Sequence, residues 1–175
     1  MRRIIVCRLL GLVFALPFGL YAQGIDENAM KAAFVYNFAL FTEWPADVQH
    51  KTGEITLCAE SGSPMALQMD ALNGKRVKGQ RLVVRGMDLS RSDLSPCQIL
   101  FIDHENRKDW TSIRRRIENA SVLTVSDDVE IGADGVIIAL SVQNRRLVFD
   151  IDMSGARLAR LSMSSKLLRL ARTVR

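Results

Sequence analysis

Histidine is almost missing from this chain: its 175 residues contain two, His50 and His104. Neither stands in a His-x-x-x-His spacing or beside a nucleophile elbow, so zinc hydrolysis and Ser-His catalysis lack their parts. Long apolar runs are missing too. The stretch from Leu9 to Leu20 stops after 12 residues, short of the roughly 20 that cross a bilayer. Gly132-Ala133-Asp134-Gly135 lacks the lysine and the helix of a phosphate loop and reads as a turn before a strand. No internal repeat and no second domain are visible at this length.

What the first residues do carry is the layout of a secretory leader. Met1-Arg2-Arg3 is basic, Leu9 to Leu20 is apolar, and Leu20-Tyr21-Ala22 ends on a small residue before Gln23. Residues 1–22 are therefore expected to be a cleaved signal peptide and 23–175 a single exported domain. Cys7 precedes the apolar run and no cysteine follows it directly, so a lipid-anchored start is not expected. Removing Arg2, Arg3 and Arg8 lowers Lys+Arg from 24 to 21 against 19 Asp+Glu, so the working protein has too little positive charge to argue for a nucleic-acid partner. Cys58 and Cys97 remain as an even pair, which an oxidising compartment turns into a disulfide. Such a bridge closes a loop of about 40 residues and contributes roughly 4 kcal/mol by chain-entropy arithmetic.

Hydrophobic spacing predicts an aromatic-faced helix over 28–42, capped by Asp26 or Asn28 and stopped by Trp44-Pro45. Val48 to Gly53 reads as a polar connection. An alternating strand over 54–59, a helix over 64–72, an Asn73-Gly74 turn and a strand over 80–85 follow. Cys97 to Ile102 is nearly all apolar, the mark of a central strand covered on both faces. Asp109 is placed to cap a helix over 110–118, and a strand follows over 121–125. Residues 135–142 and 146–151 form a hairpin around Gln143-Asn144-Arg145, and helices at 154–160 and 164–172 end the chain. The fold expected is a single α/β layered domain with a mixed β-sheet flanked by helices.

Four polar groups invite chemistry. Asp103-His104-Glu105 follows the apolar strand at its carboxyl end, where α/β sheets place ligands, but consecutive side chains diverge and no other histidine can join them. Asp127-Asp128 reads as a helix-capping or loop-closing pair rather than a magnesium or phosphate site. Lys75-Arg76-Val77-Lys78 is a basic loop tip. The C-terminal helix is amphipathic and basic. Its Lys166, Leu167, Leu168 and Arg169 are the residues chosen here for partner binding, against the plain alternative of a helix docking its leucines on the core. No catalytic residue, cofactor or metal site is assigned.

The run Lys31-Ala32-Ala33-Phe34-Val35-Tyr36-Asn37-Phe38-Ala39-Leu40-Phe41-Thr42-Glu43-Trp44-Pro45 resembles the opening helix of the YfiR family of exported bacterial proteins. The likeness continues through Gly74-Lys75-Arg76-Val77-Lys78-Gly79, Cys97 to Ile102 and Ser164 to Ala171. It implies a periplasmic, non-enzymatic regulator that represses the sensor domain of an inner-membrane diguanylate cyclase and so controls cyclic di-GMP and biofilm formation. Relief through an outer-membrane lipoprotein goes with that resemblance, and a homodimer would suit a protein that opposes a dimeric cyclase. Cys58 and Cys97 match a family disulfide, whereas residues 146–154 lack the second cysteine pair of some members. The alternative is a periplasmic small-ligand binding protein with a cleft near Asp103 and Asp127. Cleavage after Ala22 is expected to give a secreted product whose first residue is Gln23; N-terminal sequencing of the exported protein checks it, and an intact Met1 start would refute it.

Overall fold

The computed structural model describes residues 26–49 and 53–175. The leader, and His50 in the connection after the first helix, lie outside the described residues. Helix α1 (Glu27–Phe41) is capped by the Asp26 carboxylate, which accepts from the Asn28 N–H at 3.0 Å. It ends before Trp44-Pro45, because Thr42 turns extended and its hydroxyl donates back to the Phe38 carbonyl. Strand β1 (Thr42–Glu43) and helix α2 (Ala46–Gln49) follow, so part of the connection read as polar is a helical turn.

Strand β2 (Glu54–Glu60), helix α3 (Pro64–Met69) with a 3-10 turn (Asp70–Leu72), β3 (Arg76–Val77) and β4 (Gln80–Met87) come next. Then β5 (Ile99–Ile102) leads through a 3-10 turn (His104–Asp109) into α4 (Trp110–Arg116) and β6 (Leu123–Ser126). The chain closes with α5 (Val129–Ala133), β7 (Ile138–Gln143), β8 (Arg146–Ile151), α6 (Met153–Leu158), β9 (Ser162–Met163), α7 (Ser165–Leu170) and β10 (Thr173–Val174).

The main sheet has eight strands in the order β10-β8-β7-β6-β5-β2-β4-β3, and β1 pairs β9 in a separate ribbon. Strands β4, β2, β5, β6 and β7 run parallel, while β8 and β3 turn back on their neighbours. This is the expected mixed α/β sheet. The hairpin turn puts Asn144 and Arg145 at positive φ, +48° and +61°, as a tight antiparallel reversal requires.

Alternate residues of the central strands feed two cores. Leu57, Ile99, Phe101, Leu123 and Val125 pack under α1, α3, α6 and α7, and Leu100, Ile102, Cys58 and Cys97 pack under α4 and α5. Phe38 lies 4.9 Å from Phe149 and Phe34 is 6.1 Å from it, ring centre to ring centre, which seats α1 on the sheet. Cys58 and Cys97 are bonded, tying β2 to the entry of β5 with the two Cα atoms 5.8 Å apart.

Several local readings are corrected. Strand β2 is buried on both faces instead of alternating. Asp109 makes no side-chain cap; Asp103 caps the preceding 3-10 turn instead. Gly132 and Ala133 belong to α5, not to a turn, and the last helix stops at Leu170 because Thr173 and Val174 pair alongside β8.

Asp128 caps α5 by accepting from the Glu130 and Ile131 N–H groups, and Arg107 clamps its other oxygen. Burial alone would push this carboxyl up, but the Arg107 guanidinium and the α5 N–H groups hold it below its ordinary 3.8. A depressed carboxylate contributes stability that is present above 3.8 and lost as pH falls through the lower folded value. Asp128→Asn keeps the cap and removes the charge, so thermal melts should show a deficit of about 2–4 °C at pH 7 that closes as the pH drops below the aspartate range. A deficit of the same size at every pH would refute the charge argument.

Candidate functional site

The strand order reverses between β2 and β5, since the chain moves outward from β2 to β4 and then returns across it to β5. In open α/β sheets the crevice at the carboxyl ends of two such strands is the customary ligand position. Here it holds Glu60 at the end of β2, Ser63 just beyond it, and Asp103 and Asn106 after β5. Glu60 Oε2 accepts from the Leu89 N–H at 3.1 Å and from Asn106 Nδ2 at 2.8 Å. Asp103 accepts from the Glu105 N–H at 3.0 Å and from the Ser63 side chain, and burial pushes its carboxyl up. Asn106 is buried with no hydrogen-bond partner for its Oδ1.

Asp103 and Asp127, the two residues expected to border a ligand cleft, thus sit at the ends of adjacent strands but are occupied. Lys31 Nζ lies 2.7 Å from Asp127 Oδ2 and 2.7 Å from Glu27 Oε1. Burial alone would lower that ammonium, and the two carboxylates hold it above its ordinary value. Lys31 therefore locks the start of α1 to the end of β6. Arg107 bridges Asp128 and Glu130, the latter at 3.0 Å. Among the described residues no group of three or more His, Cys, Asp or Glu could hold a metal ion. No described helix is long and apolar enough to cross a membrane.

The C-terminal helix divides its four selected residues. The Ser164 hydroxyl caps α7 and the Ser164 N–H donates to the Phe41 carbonyl, which fixes the helix against the end of α1. Leu167 is buried and Leu168 half-buried against the same core, while Lys166 and Arg169 are exposed. Leu170, which the sequence reading did not select, is 70% exposed and sits one residue past Arg169. Only the side-chain direction on a six-residue helix separates Leu167 from Leu170, and spacing alone does not set it.

A cavity of about 490 Å³ opens elsewhere, at the amino ends of β6 and β7 between α4 and α6, with Trp110, Ile117, Val122, Ile137 and Leu158 on its walls. Sequence reading missed it because its walls come from segments between Trp110 and Ala159 that carry no shared motif.

The four sequence segments quoted above meet at the far end of α1. Tyr36 donates its hydroxyl to the Arg76 carbonyl at 2.8 Å, Lys75 stands over the Tyr36 ring and Lys78 pairs with Glu43. Trp44 Nε1 donates to the Gln98 carbonyl at 3.2 Å, and the Gln98 side chain accepts from the Thr56 N–H. Strand β1 pairs with β9 just ahead of α7. The basic loop tip is thereby stitched to α1.

No curated protein matches this chain. Among solved structures it is similar to a conserved domain protein from Vibrio cholerae O1 biovar El Tor str. N16961, with a TM-score of 0.55 at 9% identity over 85% of this chain and 60% of that one. An ABC domain from Streptococcus pneumonia in complex with L-Trp gives a TM-score of 0.52 at 7% identity over 81% of this chain and 62% of that one. Such identities show a shared fold alone, and the chain spans less than two thirds of either structure's length. The model of the YfiR/HmsC-like family matches residues 28–172, which takes in all four meeting segments, and the chain belongs to that family.

Proposed function

We propose that the protein is a periplasmic regulator that binds the sensor domain of an inner-membrane diguanylate cyclase and holds it inactive, lowering cyclic di-GMP and restraining biofilm growth. The observation that carries this reading is the family match over residues 28–172. The Cys58–Cys97 bond supports it, because such bonds persist in oxidising compartments.

Repression needs no chemistry, only a difference in affinity for the two states of the partner. About 5.5 kcal/mol of differential binding moves a two-state equilibrium from 1:99 to 99:1. The proposed contact is the exposed part of α7, with Lys166 and Arg169 setting orientation, Leu168 and Leu170 adding burial, and Leu167 anchoring the helix to the core. An outer-membrane lipoprotein that sequesters the repressor, and a homodimer facing a dimeric cyclase, belong to the same proposal.

Deleting the gene should raise intracellular cyclic di-GMP, with reversal by the exported form and none by a form lacking residues 1–22. An unchanged level, in cells that make the protein, would sink the reading. Lys166→Glu with Arg169→Glu should weaken binding to the isolated sensor domain about tenfold or more while leaving the melting temperature nearly unchanged, as both side chains are exposed. Full-strength binding by that double variant would remove α7 from the interface without touching the cyclase assignment.

A further inference from the structure

We propose that the crevice between the carboxyl ends of β2 and β5 binds a small organic ammonium, a primary amine whose charged head docks among Glu60, Asn106 and Asp103. Asn106 carries the argument. Its backbone N–H donates to the Asp103 carbonyl at 3.1 Å on one wall, and its Nδ2 donates to Glu60 Oε2 at 2.8 Å on the other, so the side chain lies across the crevice. The residue is only 3% exposed, yet its Oδ1 accepts from no group among the described residues. Buried acceptors are nearly always paired, and one left empty where the strand order reverses points to a donor that arrives from outside.

The carboxylates beside it accept as well, and no cation answers them. Glu60 takes its bonds from Asn106 and from the Leu89 N–H on Oε2, which leaves Oε1 without a partner among the described residues. Asp103 is held by neutral donors, the Glu105 N–H and the Ser63 side chain, and of its charged neighbours Glu105 opposes its ionised form while His104 favours it. Neither Glu60 nor Asp103 forms an ion pair among the described residues. The nearby cations are engaged elsewhere: Arg107 with Asp128 and Glu130, Arg91 with Asp88, and Arg116 with the carbonyls of Leu89, Ser90 and Ser92. Lys108 is exposed on the 3-10 turn and pairs with neither carboxylate. An ammonium brings three donors, one positive charge and no acceptor, which is the complement of such a lining. The turn after β2 leaves the organic body room, since a Cβ on Gly62 would meet nothing within 4 Å. The neighbouring strand end shows the same chemistry supplied from within the chain, where Lys31 sets its ammonium between Asp127 and Glu27. The site involves no residue of α7 and does not depend on the cyclase assignment.

The test titrates the purified, nitrogen-15-labelled exported protein with butylammonium chloride and follows the side-chain amide signals of Asn106 by nuclear magnetic resonance. Those signals should move saturably with a Kd of about 1 mM or tighter. Butyrate, with the opposite charge, and tetramethylammonium, with the same charge and no N–H donor, should leave them in place. Glu60→Gln and Asp103→Asn, which keep an acceptor and remove the charge, should each weaken butylammonium about tenfold, whereas Lys166→Glu on α7 should not. Thermal melts show which of the two variants retains the fold, and either one alone decides the matter. No saturable movement up to about 50 mM butylammonium, undiminished binding by a folded variant, or an equal response to tetramethylammonium would each overturn the proposal. Tighter binding of calcium chloride at the same signals would make the crevice a metal site and overturn it equally.

Discussion

Strands β2 and β5 have no face to give to water. All four residues of β5 are buried, as are the five inner residues of β2, and their side chains alternate between two separate cores. A strand sealed on both sides obliges the chain to supply a helical layer on each, because open flanks would leave Leu57, Ile99, Leu100 and Phe101 in water at roughly 1.5–3 kcal/mol apiece. The long helix α1 meets half of that demand, helped by α3 and α7. The shorter α4 and α5 meet the other half, together with the disulfide and the buried Leu89 and Leu94 of the connecting loop. Arg116 fastens that loop by donating to the Leu89, Ser90 and Ser92 carbonyls, so a segment rich in Ser and Asp becomes a fixed part of the second layer.

Much of this was legible from local pattern, and the rest has identifiable reasons for being hidden. The apolar run at Ile99 to Ile102 announced a central strand, and the Asn144 turn announced a hairpin, because both signals lie within a few residues. Helix α5 gave no such signal. Val129 is 80% exposed and Gly132 carries no side chain, so its five residues show no apolar stripe; only the Asp128 cap marks it. The two-residue strands β1, β9 and β10 exist through distant partners, Thr42 with Met163 and Thr173 with Asp150. Asp109 is placed as a cap by its position before Trp110, and Asp103 carries no such signal because the 3-10 turn between them is not visible in the spacing. That turn gave the bond to Asp103.

The same limit governs the site residues. That Asp127 would be an ordinary structural residue could be argued from its pairing with Asp128 at a strand end, yet its partner Lys31 stands 96 residues away on another element. The segments that carry the family likeness look scattered in sequence, and the end of α1 gathers them. Tyr36 and Glu43 reach the basic loop tip, Trp44 reaches the entry of β5 and the Phe41 carbonyl reaches Ser164, which gives a physical reason for these stretches to be held in common: they are the points where the first helix is joined to the rest of the domain.

The two borders of the main sheet are finished very sparingly, by β3 with two residues and by β10 with two. Exposed strand borders recruit other chains, and they do so most readily when long, flat and apolar. Here the outer border of β4 is covered over its first half by Gly74, Lys75 and the Asn73 side chain, and its open half carries exposed Arg85 and Gly86. At the opposite border, Arg172 grips Asp150 next to a stub too short to template a further strand. Both borders of the main sheet thus carry a charge or a covering segment where another chain would have to pair.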